Sequence, residues 1–276
     1  MDRTFRFGTV AGSASDGKAW TNLARRVEGL GYSSLLVPDT LWTFSPFSAL
    51  AAAATATTTL FVGTHVLAAP FRTPDLVAAE TDTLDTLSDG RFELGLGTGA
   101  PGGEAAAARL GVSWGTGTSR LARLTAQIAA VRDRFATKER QAPPIMLAGT
   151  GPKLFALAAA EADTLTLAAG PLTSDEELAR IVGRLQGIAG AAYDRLELAT
   201  NISVVGEELP DWLAQRMNLD LAALRAADSF TMLSGTPRQM ADVLLRRRDR
   251  LGISYVTVPS FFAEEFAPVV ELLAGR

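Results

Sequence analysis

The chain has 276 residues, and its 26 Lys and Arg against 30 Asp and Glu leave a net charge of −4, which excludes the basic footprint of a nucleic-acid-binding protein. No cysteine and a single histidine exclude disulfides, thiolate metal sites and any two-histidine mechanism, and the lack of cysteine fits a reducing compartment. The longest apolar run, Ala49–Ala56, is far short of the roughly 20 residues of a membrane span, and the first residues lack the apolar core of a signal peptide, so a cytoplasmic protein is expected.

Phe5–Val10 reads as a strand and Lys18–Leu30 as an amphipathic helix closed by Gly31. Ser34–Val37 is a second strand, stopped by Pro38, and Phe47–Thr57 an Ala-rich helix. A third strand, Leu60–Gly63, precedes the helix Pro74–Leu87, which has Thr73 as N-cap, proline in its first turn and Ser88-Asp89-Gly90 behind it. Phe92–Leu96 is the fourth strand. After it comes the least structured stretch, Gly97–Thr118, with Glu104–Leu110 helical inside it, and then the long helix Ser119–Phe135. Pro144–Leu147 and Thr164–Leu167 are strands, followed by the helices Lys153–Glu161 and Asp175–Ile188 respectively. Leu196–Val205 is a seventh strand. Pro237–Leu251, with Thr236 as N-cap, leads through Gly252 into an eighth, Ile253–Val258, and the terminal helix Ala263–Leu273. Eight β-then-α units in a chain of this length predict one α/β domain over residues 1–276, a (β/α)8 TIM barrel. A doubly wound open sheet is the competing architecture; the eighth strand with its one closing helix favours the barrel.

Two common patterns occur out of context. Gly97-Thr98-Gly99-Ala100-Pro101-Gly102 spells a dinucleotide fingerprint, but after the fourth strand and with no acidic strand end about 20 residues on, so it reads as a flexible Gly-rich loop. Gly111-Val112-Ser113-Trp114-Gly115 spells a nucleophile elbow, yet a helix precedes it and no histidine follows.

Five segments, in order, carry a family resemblance. They are Trp20–Asp39, Thr57–Pro74 with Gly63-Thr64-His65-Val66-Leu67, Thr83–Gly99 with Ser88-Asp89-Gly90-Arg91, Pro144–Asp163 with Ala148-Gly149-Thr150-Gly151-Pro152-Lys153, and Gly235-Thr236-Pro237 through Tyr255. Together they resemble the luciferase-like monooxygenase superfamily, the flavin- and deazaflavin-dependent barrel oxidoreductases, and most of all its members assigned to coenzyme F-420. The resemblance implies a deazaflavin or FMN at the C-terminal ends of the strands, a small-molecule substrate and a homodimer. It places Asp39 beside the cofactor ring and a non-proline cis bond between His65 and Val66 behind it. Gly97 and Thr98 would lie at the fourth strand end. Gly149, Thr150, Gly151 and Lys153 would surround the cofactor phosphate, a reading that free N–H groups at a helix N-terminus support on their own.

Each of these residues has an ordinary reading too. Asp39 suits a loop-capping carboxylate, His65 a packing residue, and Gly151-Pro152 a helix start. His65 is nevertheless the one side chain whose unperturbed pKa lies near neutrality, and so the default proton donor or acceptor. Arg246-Arg247-Arg248 reads as a solvated helix face, with a partner for an acidic cofactor tail as the alternative. The chain departs from the family where Thr40 stands in place of a histidine and Ala100 in place of an acidic or aromatic residue. The segment Ala136–Ala142 is also short. An FMN-dependent monooxygenase and a barrel retained only for binding or assembly are therefore the alternatives.

Overall fold

The computed structural model describes residues 3–276. Its strands are β1 (Arg6–Val10), β2 (Ser34–Val37), β3 (Phe61–Thr64), β4 (Leu67–Ala68), β5 (Phe92–Gly97), β6 (Ile145–Ala148), β7 (Thr164–Thr166), β8 (Glu197–Asn201), β9 (Val204–Val205), β10 (Met232–Leu233) and β11 (Ile253–Pro259). The main sheet runs β3-β2-β1-β11-β8-β7-β6-β5, and β5 pairs back with β3 through Val62↔Phe92 and Gly63↔Glu93. All these pairings are parallel, so the sheet closes into the predicted eight-stranded barrel. β2 and β5 are buried along their whole length, which is why they read as near-continuous apolar runs.

The helices seat themselves by caps and apolar stripes. Asp16 accepts from Ala19 N at 2.8 Å and starts a helix over Gly17–Gly29 whose Trp20, Ala24 and Val27 are buried. Thr73 caps Pro74–Leu87 as its sequence predicts, and Thr236 forms a full capping box with Gln239.

The barrel interior is layered. At the N-terminal end Arg6 bonds Glu93 Oε1 at 2.5 Å and Glu197 at 3.0 and 2.8 Å. Its guanidinium lies 4.1 Å from the centroid of the Tyr255 ring, whose hydroxyl bonds Ser34. Above this polar layer sits an apolar one formed by Leu36, Met146, Ala199 and Tyr255, with Val10 and Val66 packed against it. The layer nearest the C-terminal mouth is open.

Three expectations need correction. The seventh strand is not one piece: Ile202 N still bonds Thr257 O of β11, but beyond it β9 pairs with β10 in a separate two-stranded sheet. The Gly-rich stretch after β5 is not loose. A Cβ at Gly99 or Gly103 would overlap the Trp114 ring, which also lies 6.1 Å from Phe71 and under Arg120 at 4.7 Å. These glycines are small so that an indole can brace the segment and the short helix Gly103–Arg109. Finally, the run Arg246–Arg248 is solvated only in part: Arg246 is exposed, but Arg247 is not. Arg247 is buried, bonded to Asp175 at 2.8 and 3.2 Å and to Phe230 O at 2.9 Å, and it faces away from the cavity described below.

Candidate active site

A cavity of about 800 Å³ opens at the C-terminal ends of the strands, the face where barrels carry their chemistry. Asp39 follows β2, His65 and Val66 lie between β3 and β4, Gly97 ends β5 and Thr98 follows it, and Gly149 and Thr150 follow β6; all of them line it. Gly151 and Lys153 do not. Gly151 is the N-cap of the helix Pro152–Glu161, and both residues are exposed on the outer side of the turn.

The His65–Val66 peptide bond is cis. His65 N bonds Val37 O at 2.8 Å, tying the segment to β2. The glycines of β5 make room for it. A Cβ at Gly97 would stand 2.8 Å from Val66 Cγ2, and one at Gly95 would overlap the Thr64 carbonyl. Thr64 Oγ1 instead donates to Gly95 O at 2.8 Å and accepts from Gly95 N at 2.9 Å. Gly95 and Gly97 therefore serve close packing, Gly95 against the Thr64 backbone and Gly97 against the Val66 side chain.

His65 Nε2 is buried and has no hydrogen-bond partner. Burial pushes its imidazole down to about 4, so the ring is neutral at pH 7. Between pH 6.5 and about 4 the unfolded chain takes up a proton that the folded chain refuses. The contribution of this group to stability is thus present above 6.5 and lost as pH falls through about 4. Because the chain has one histidine, its NMR signal titrates alone. An inflection near 4 is expected; an inflection at the ordinary value of 6.5 would show that the ring is solvated.

Asp39 is paired. Its Oδ2 accepts from Ala68 N at 3.0 Å and Arg72 Nη1 at 2.6 Å. Arg72 also reaches Glu80 Oε2 at 3.4 Å, and burial together with the nearby Asp39 charge raises the Glu80 pKa, Arg72 opposing. Asp39 thus fixes β4 and Arg72 against the end of β2 while keeping a place on the cavity wall. Thr40 bonds Thr43 at 2.9 Å and brings no acid to the site.

Sequence reasoning missed Thr166, Asn201 and Trp114. All three line the cavity. Asn201 Oδ1 accepts from Thr257 Oγ1 at 2.6 Å, whereas Thr166 Oγ1 is buried without a partner. The signal was available for Thr166: Thr164 and Thr166 alternate along one strand and so share the barrel-facing side, Thr164 being satisfied by Glu197 at 3.0 Å. No helix among the described residues is long and apolar enough to cross a membrane.

Comparison with known proteins shows the family and the fold. Residues 4–208 match the family model for luciferase-like monooxygenases. An F-420-dependent glucose-6-phosphate dehydrogenase of Intrasporangium calvum is 37% identical over 124 residues, 42% of this chain. The match spans only 37% of that relative's length. Among solved structures, the coenzyme F-420-dependent tetrahydromethanopterin reductase of Methanopyrus kandleri superposes with a TM-score of 0.74 at 15% identity, covering 99% of each chain. EDTA monooxygenase of Chelativorans superposes with a TM-score of 0.75 at 13% identity, covering 98% of this chain and 94% of its own. At such identities the two structures speak for the fold alone.

Proposed function

We propose that this chain, which belongs to the luciferase-like monooxygenase family, is an oxidoreductase that binds the deazaflavin coenzyme F-420 at the mouth of its barrel and acts on a small organic substrate. The observation that carries this reading is that two buried polar atoms without protein partners, His65 Nε2 and Thr166 Oγ1, belong to residues of one cavity. Each such atom costs about 1–3 kcal/mol while unpaired. A flat heterocycle edged with carbonyl and N–H groups supplies partners for both, and about 800 Å³ accommodates it. Bound there, the deazaflavin supplies hydride chemistry.

The protein's own residues bind and orient. Gly97, Thr98 and Val66 form a close wall. The Gly149-Thr150 turn faces the phosphate, backed by a helix N-terminus that no side chain caps; Gly151 borders this turn, and Lys153 adds charge from outside. His65, neutral and half-buried, offers Nε2 for one hydrogen bond to a bound molecule and is the one candidate there to move a proton, while Asp39 keeps the β2 end and Arg72 in place. FMN with monooxygenase chemistry is the second reading, favoured by Thr40 and Ala100 where deazaflavin-dependent members carry other groups. The same two residues allow a third, a barrel without redox chemistry.

Titration of the apoprotein with coenzyme F-420 and with FMN, read by fluorescence quenching, separates these. Tighter F-420 binding is expected, the reverse order selects FMN, and binding of neither overturns both. His65→Ala is expected to lower turnover about 100-fold while changing cofactor affinity far less; equal losses in both would make His65 a binding residue only.

We also read the chain as a homodimer. An apolar groove runs between the helices Pro46–Ala56 and Pro74–Leu87, lined by Phe47, Ala51, Ala79 and Leu84, with Leu87 at 53% exposure on its edge. Light scattering is expected to give twice the mass of one chain at micromolar concentration, and a single-chain mass would reject the dimer.

A further inference from the structure

We propose that Arg109 selects an acidic organic substrate, one that presents a carboxylate or phosphate at the cavity mouth. This rests on the cavity being the active site, as read above. Two ionised side chains reach its wall, Asp39 and Arg109. The Asp39 charge is already met by Arg72 at 2.6 Å. Arg109 is exposed, and among the described residues it has no ion pair or hydrogen bond. Arg109 is therefore the cation on the cavity wall that no carboxylate among the described residues meets, and it stands at the rim.

The position of that charge is built. Ala105, Ala106 and Arg109 reach the cavity from one short helix, Gly103–Arg109, Ala105 and Arg109 being neighbours at i, i+4. The indole of Trp114, seated against Gly99 and Gly103 and backed by Arg120 at 4.7 Å, holds the helix over the opening. Between the rim and the floor the wall is apolar, with Leu41, Phe71 and Trp114. A guanidinium above such a wall fits a molecule with an apolar body and an acidic end, because its fork matches both oxygens of a carboxylate or phosphate. The turn read as the cofactor's phosphate site follows β6, whereas the Arg109 helix follows the neighbouring β5, so the two lie on different loops of one cavity.

The test uses an isosteric pair, 4-phenylbutyrate and 4-phenylbutyramide, titrated calorimetrically into the apoprotein and the cofactor-loaded protein. The wild type is expected to bind the carboxylate at least about tenfold more tightly, a gap equivalent to about 1.4 kcal/mol, and added salt is expected to shrink the gap. R109A erases the preference, R109E reverses it and R109K retains part of it, while circular dichroism verifies the fold. A wild type without the preference, without binding of the carboxylate at millimolar concentration, or with a preference that survives in R109A overturns the proposal. So does an R109A protein that loses only cofactor affinity. If the wild type binds neither F-420 nor FMN, the cofactor reading fails, and the comparison in the unloaded cavity still decides the role of Arg109.

Discussion

Replacing Arg6 with methionine is expected to lower the unfolding free energy by about 3 kcal/mol, the low end of the range for removing one member of a buried ion pair, because the Arg6 side chain keeps 27% exposure. Arg6 is the cation of the barrel's lower layer, with Glu93 at 2.5 Å and Glu197 at 2.8 Å. Burial alone would lower its pKa, but the charges of Glu93, Tyr255 and Glu197 raise it overall. Burial, and then Glu93, pushes the Tyr255 phenol up, so that ring stays neutral and cannot take over the charge. Without Arg6 two carboxylates face each other in a closed space. Adding Glu93→Gln and Glu197→Gln to the variant is expected to recover much of the loss, since neutral amides remove the repulsion. Urea unfolding at pH 7 measures both; a loss under about 1 kcal/mol for the single variant would place the cluster among weak surface pairs.

A second large effect is expected at Gly95. Its added Cβ in Gly95→Ala would overlap the Thr64 carbonyl and stand 2.9 Å from Val66 Cγ1. The obstacle is backbone, held by the reciprocal Thr64–Gly95 bonds at 2.8 and 2.9 Å, so it cannot rotate aside as a side chain would. A loss of about 3 kcal/mol is expected, together with a weaker cofactor complex, because the displaced atoms carry the His65–Val66 segment. Gly151 supplies the control. It has an ordinary φ of −83° and nothing within 4 Å of an added Cβ, so Gly151→Ala is expected to change stability by less than about 0.5 kcal/mol. Because Gly151 stands outside the cavity, Gly151→Val is expected to keep both the fold and most of the cofactor affinity. Thermal unfolding and a cofactor titration report on all three variants, and equal stability of the two alanine variants would refute the steric argument.

The barrel was legible in the sequence because most strands are short apolar runs and several helices carry a side-chain cap or a proline in the first turn. Thr73, Thr236 and Gly252 act as their positions predict. Asp39 and His65 were legible for a related reason: each stands just past an apolar run that ends facing the mouth. What escaped depends on distances between chain segments. The glycines at 95, 97, 99 and 103 reveal their purpose only when Thr64, Val66 and Trp114 are brought beside them. Arg247 could have been caught, since it falls three residues after Leu244 and four before Leu251, on the buried stripe of its helix. The pattern of three arginines drew attention to charge and away from that spacing. Arg72 was quoted as part of a motif, but its bond to Asp39 spans 33 positions and no local pattern announces it.

The sealed lower half of the barrel has a kinetic consequence. Below the cavity the apolar layer and the Arg6 cluster fill the bore, so a molecule cannot pass through from the other end. If two molecules share a bore with a single doorway, they enter and leave in a fixed sequence, the deeper one first in and last out. Steady-state kinetics should then show a compulsory order, with the acidic substrate held at Arg109 as the later arrival. At high concentration that substrate would occupy the doorway of the empty barrel, and its inhibition would be relieved by raising the concentration of the cofactor.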